Sequence, residues 1–120
     1  MRRSLTRQER LRRSRDIKGL FTAAKRIESR GLKLLYRNNG GPATRFAVVV
    51  ARGCGGAVRR NREKRIAREA YRSLKESILP GHDVLFLLGR FGASLDERRS
   101  VMSHLLARAG LRGSDELRRQ

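Results

Sequence analysis

Apolar positions along the chain change period several times, and each change marks an element. Ile17, Leu20, Phe21, Ala24 and Ile27 recur at helical spacing, so "SRDIKGLFTAAKRI" predicts an amphipathic helix, with Ser14 as a possible cap and Asp16 near its positive end. In "GLKLLYR" the period falls to two, with Leu32, Leu34 and Tyr36 on one side and Lys33, Leu35 and Arg37 on the other. "NNGGPATR" then supplies turn residues. "RFAVVVAR" is apolar without alternation, as expected of a strand covered on both faces, and is placed at the centre of a sheet. Glycines in "GCGG" allow a sharp turn into a helix from Ala57 to about Leu79, stopped by Pro80 and Gly81. "DVLFLLG" is a further strand. Ser94 and Glu97 form a capping box that opens a last helix, whose apolar face is Val101, Met102, Leu105, Leu106 and Ala109.

The order helix, strands, long helix, strand, helix predicts an α/β sandwich of two layers around one sheet. Its 120 residues suit a single domain. Residues 1–13, rich in Arg and poor in apolar surface, are expected to form a mobile basic arm, 14–111 the domain, and 112–120 a frayed tail.

Around the axis of the long helix, Ile66, Ala67, Ala70, Tyr71, Leu74 and Ile78 share one arc. Asn61, Arg62, Lys64, Arg65, Arg68, Arg72 and Lys75 occupy the other, interrupted only by Glu69 and Glu76 near its edge. Arg59, Arg60 and Glu63 lie above the apolar arc and are expected to project beyond whatever the helix packs on. So many cations at i,i+4 spacing repel one another, which argues against a purely structural face.

Charge gives that face a partner class. Thirty Lys and Arg against eleven Asp and Glu leave a formal charge of +19, and all but five of the cations are Arg. Such a surplus destabilises the compact state unless an anion is bound. Arg, with its planar fork of donors, suits phosphate and base stacking better than Lys. The expected partner is nucleic acid. Cys54 is the lone cysteine, which favours a reducing, cytoplasmic setting and offers no metal spacing; no apolar run is long enough to cross a bilayer. Gly53 and Gly55 imitate the start of a dinucleotide fingerprint, but Val58 stands at its third glycine. Neither His82 nor His104 has a catalytic partner near in sequence. No catalytic residue and no metal ligand is assigned to the chain.

"FAVVVARGCGGAVRRNREKRIAREAY" resembles the protein subunit of bacterial ribonuclease P, in which an apolar strand and a glycine-bearing turn lead to a helix opening with Arg-Asn-Arg, then Lys-Arg. Here these are Arg60-Asn61-Arg62 and Lys64-Arg65, preceded by Ala57-Val58 and followed by Arg68, Ala70 and Tyr71. The similarity extends more weakly from "RLRRSRDIKGLF" to "SVMSHLLARAGL". It implies a mixed sheet of about four strands, with the long helix in a left-handed βαβ crossover and a helix at each end. It also implies an accessory subunit that binds the catalytic RNA and the 5′ leader of precursor tRNA, whose hydrolysis depends on Mg²⁺ held mainly by the RNA. No DNA or membrane partner is expected. Arg52, Arg60, Asn61, Arg62, Lys64, Arg65, Arg68 and Arg72 are the implied contacts to catalytic RNA; Ile17, Phe21 and Tyr36 are the implied leader contacts, Tyr36 if one residue is inserted. Ile17 stands where the family commonly has an aromatic, Arg52 where it has Lys, and Ala51 and Gly53 where it has Ser and a second Lys. The alternative is a structural RNA-binding protein such as a ribosomal component, which shares charge and scaffold but takes no part in catalysis.

Overall fold

Helix α1 spans Ser14–Ala23, and strands β1 (Lys25–Ser29), β2 (Leu32–Asn38) and β3 (Arg45–Val50) follow it; helix α2 (Ala57–Leu74), strand β4 (His82–Leu88) and helix α3 (Leu95–Arg108) complete the order. These come from a computed structural model that describes residues 9–112. The sheet is mixed, in the order β1-β2-β4-β3, with β3 and β4 parallel and joined through α2. The expected α/β sandwich is present. Helices α2 and α3 cover one face, and α1 lies on part of the other.

Alternation in β2 divides the core. Leu32, Leu34 and Tyr36 join Phe46, Val84, Phe86 and Leu88 under α2 and α3, whereas Leu35 meets Leu20, Ala47 and Leu85 under α1. The continuous run in β3 has the expected cause, two covered faces, but a different place. It is β4 that sits inside the sheet, and β3 is paired with a full strand on one side only. Burial on both faces fixes hydrophobicity without fixing the neighbour along the ladder.

The outer side of β3 is occupied by part of the expected mobile arm. Arg10 bridges Phe46 in parallel fashion, and Leu11, almost fully buried, donates its N–H to the Phe46 carbonyl at 2.8 Å. Residues 9–13 are therefore seated on the domain, while 1–8 and 113–120 lie outside the described residues. At the other end Arg112 bridges Ile78 and its guanidinium donates to Ser77 and Ser103, so the domain extends one residue beyond its expected limit.

The first helix is shorter than its periodicity suggests. Ala24 is already extended, Arg13 rather than Ser14 stands at the cap with no side-chain cap bond, and Ile27 belongs to β1. Ile27 packs under α2 and α3, on the face opposite α1. A two-residue turn, Arg30 and Gly31 with φ of 51° and 77°, folds β1 back on β2. Gly31 is required there, because a Cβ would fall 2.6 Å from the Cβ of Arg90.

One polar cluster ties α1 to the sheet. The buried Asp83 carboxylate accepts from Arg45 Nε and Nη2, both at 2.8 Å, and from Asn39 Nδ2 at 2.9 Å; Arg45 also reaches Asp16 at 3.4 Å. Burial would raise the Asp83 pKa, but the hydrogen bonds from Arg45 and Asn39 and the charges of Arg45 and Arg37 hold it below its ordinary 3.8. A depressed carboxyl stabilises the fold above that ordinary value and loses the contribution as pH falls through the folded one. Asp83→Asn is thus expected to cost about 2 kcal/mol at neutral pH, or roughly 8 °C in Tm. The gap between wild type and variant should close in melts carried below pH 3.8; a gap constant with pH would show that the charge contributes nothing.

Candidate nucleic-acid interface

Positive φ at Gly53 and Gly55, 97° and 124°, turns the chain from β3 into α2, with Cys54 buried beneath the turn. Helix α2 buries Ala67, Ala70, Tyr71 and Leu74, close to the expected arc. The Tyr71 ring stacks on Phe46 with centroids 4.0 Å apart and planes at 12°, and burial drives its phenol pKa up, so it stays neutral. This seam fixes the rotation of α2 about its axis. The opposite side is thereby committed to solvent.

On that side Asn61, Arg62, Arg65 and Arg68 are exposed and Lys64 and Arg72 are half-buried, while in the first turn, above the seam, Arg59 is exposed and Arg60 half-buried. Residues three and four apart on a helix stand about 5–6 Å from one another, so Asn61, Arg65, Arg68 and Arg72 form a row. Among the described residues the only ion pair made by a cation within α2 is Arg72 with Glu69, at 3.4 Å. Arg52 lies exposed in the turn before the helix. The structure therefore brings all eight expected RNA contacts onto α2 and the turn leading into it. Two departures from a free ridge are the half-burial of several stems and the engagement of Arg72.

Glu63 does not project past the packing. Only 3% exposed, it accepts from Arg98 Nη2 at 3.4 Å and from the Gly92 N–H at 2.9 Å. Arg98, on α3, also donates to the Arg90 carbonyl at 3.1 Å, while among the described residues its Nε has no hydrogen-bond partner. Burial lowers the Arg98 pKa and the Glu63 carboxylate opposes that shift. The pair pins the first turns of α2 to the segment between β4 and α3. Sequence gave no sign of it, because Arg98 belongs to an element whose packing on α2 is visible only in three dimensions.

The expected leader residues separate. Ile17 and Phe21 are half-buried on the α1 side of the sheet, packed with Leu20, Leu35 and Leu85, whereas Tyr36 points to the other face and packs on the main core. Leu35, not Tyr36, is the β2 side chain that meets α1. Ile17 instead lines a groove of about 410 Å³ along the outer side of β3, with Arg10, Arg12, Ala47, Val48 and Arg68. Arg10 and Arg12 escaped sequence reasoning, which counted them as arm; the signal was the strand-like alternation Arg10-Leu11-Arg12. The groove links α1 to the basic side of α2. It offers an apolar floor and cationic walls, which suits a single strand held by base contact and backbone charge.

Among the described residues no group of three or more His, Cys, Asp or Glu could hold a metal ion, and no helix is long and apolar enough to cross a membrane.

Residues 5–110 match the family described as Ribonuclease P. The ribonuclease P protein component of Thermotoga maritima is 39% identical over 84 residues, which is 70% of this chain and 72% of that protein. The one from Herpetosiphon aurantiacus is 33% identical over 109 residues, 89% of each. The solved ribonuclease P protein of Thermotoga maritima superposes with a TM-score of 0.74 at 33% identity, covering 83% of this chain and 96% of that one. The Staphylococcus aureus protein gives 0.76 at 21% identity over 88% and 98%, a likeness of fold alone.

Proposed function

The chain belongs to the ribonuclease P protein family, and from that premise we propose that it works as the protein subunit of the tRNA-processing enzyme, holding the catalytic RNA on α2 and the 5′ leader of precursor tRNA in the groove beside β3. The observation that carries this reading is the cationic side of α2, fixed outward by a stacked, buried seam and almost without acidic partners of its own. Arg52, Arg60, Asn61, Arg62, Lys64, Arg65 and Arg68 neutralise and hydrogen-bond phosphates, with Arg72 at the end of the row. Ile17 gives the leader an apolar contact, and Phe21 supports it from beneath. Tyr36 acts through the core only.

In this reading the ions that drive hydrolysis belong to the RNA, and the protein supplies charge and position. The setting is the cytoplasm, where precursor tRNA is made.

Reconstitution tests the proposal. Purified chain added to ribonuclease P RNA and precursor tRNA at limiting Mg²⁺ is expected to raise the rate of leader removal. No stimulation, with tight binding to ribosomal RNA instead, would replace this function with a structural role in the ribosome.

A further inference from the structure

A second cavity, about 640 Å³, opens where the N-terminal segment meets the loop between β2 and β3. That volume falls within the range of about 300–1,000 Å³ typical of ligand sites. Arg10, Arg12, Arg13 and Arg45 line it, with Asn39 and Pro42. Arg45 is engaged by Asp83 and Asp16, and Asn39 clamps the loop through Ala43 and Gly41. Arg10, Arg12 and Arg13 are exposed and have no ion pair among the described residues. Three uncommitted guanidiniums thus face one space whose nearby carboxylates are already taken.

The number of charges discriminates among anions. A single phosphodiester brings one negative charge, too few for three free Arg; closely spaced phosphates bring several and match the guanidinium fork repeatedly. Location narrows the source. The cavity shares Arg10 and Arg12 with the groove beside Ile17. It sits at the Arg45 end of β3, about 17 Å along the strand from the end that leads into α2. A strand running through the groove away from Arg60-Asn61-Arg62 arrives here.

We infer that this cavity is a seat for closely spaced phosphate groups, and that its occupant is the 5′-terminal triphosphate of an unprocessed RNA rather than free polyphosphate. The assignment of the occupant rests on the groove taking the leader; the phosphate chemistry does not. Two measurements separate them. With the full chain, inorganic tripolyphosphate is expected to raise Tm in wild type and in Arg62→Ala, but not in Arg12→Ala/Arg13→Ala, which spares the Arg45–Asp83 cluster. Equal stabilisation of the double variant would overturn the site.

With the reconstituted holoenzyme, precursors carrying a 5′-triphosphate are compared with 5′-hydroxyl precursors over a series of leader lengths. At the length that reaches the cavity the triphosphate is expected to bind about tenfold tighter, a preference lost in the double variant. No preference at any length, with the tripolyphosphate effect intact, would overturn the RNA end as occupant and assign the seat to free polyphosphate. Loss of leader dependence altogether would instead overturn the groove reading on which that occupant rests.

Discussion

Arg60→Ala combined with Arg65→Ala is expected to weaken binding of the chain to ribonuclease P RNA by about 100-fold, each well-placed charged contact contributing roughly 1–3 kcal/mol. The two positions are separated by about 7.5 Å of helical rise, so they address different phosphates and their losses should nearly add. The salt dependence provides the second reading. Removing two phosphate contacts should make the log-log salt slope shallower by about two units, because two fewer counterions are released. Stability should barely change, since among the described residues neither guanidinium has an ionic partner and neither lies in the seam formed by Ala67, Ala70, Tyr71 and Leu74. Titration of labelled RNA over a salt series, with a melting curve for each variant, checks both. Wild-type affinity and slope in the double variant would remove α2 from the interface.

Glu63→Gln should produce the largest loss of stability among single polar substitutions, about 3 kcal/mol or more, because it leaves the buried Arg98 guanidinium without its carboxylate. Both side chains are nearly inaccessible, at 3% and 4% exposure, so water cannot substitute for the missing charge. Replacing the pair together by apolar residues of similar volume, Glu63→Leu with Arg98→Met, should return stability close to wild type. That contrast separates the energetic part of the pair from its positioning part. If Glu63 also sets the angle of the first turns of α2, the apolar double variant will melt normally yet bind catalytic RNA less tightly. Normal melting with normal RNA affinity would confine the pair to stability.

How the two interfaces differ in legibility follows from how each is encoded. The α2 ridge could be read because a helix writes its two faces into one local period. Ala70 and Arg68 are two positions apart, about 200° around the axis, and a single arc calculation sends one inward and one outward. The groove beside β3 could not be read that way. It is made from residues 10–12, 17, 46–48 and 68, brought together by a bridge and a strand edge that no local period announces. Sequence placed Tyr36 on the same side of β2 as Leu32 and Leu34, and that placement holds. Tyr36 and Phe21 stand on opposite faces of the sheet, since a shift of one residue in a strand sends a side chain to the other face.

By itself the sequence determined the three helices and every strand but β1, which side of α2 meets water, and that the chain carries far more positive charge than it can neutralise internally. These properties depend on neighbours within a few residues. The tertiary structure alone decided that β4 rather than β3 is interior, that Ile27 leaves its helix for a hairpin, that Glu63 is buried against Arg98, and that Arg10 to Arg13 line cavities. Each of these depends on contacts between distant segments, whose pairing reflects the competition of the whole chain for one core and leaves no local periodicity to read.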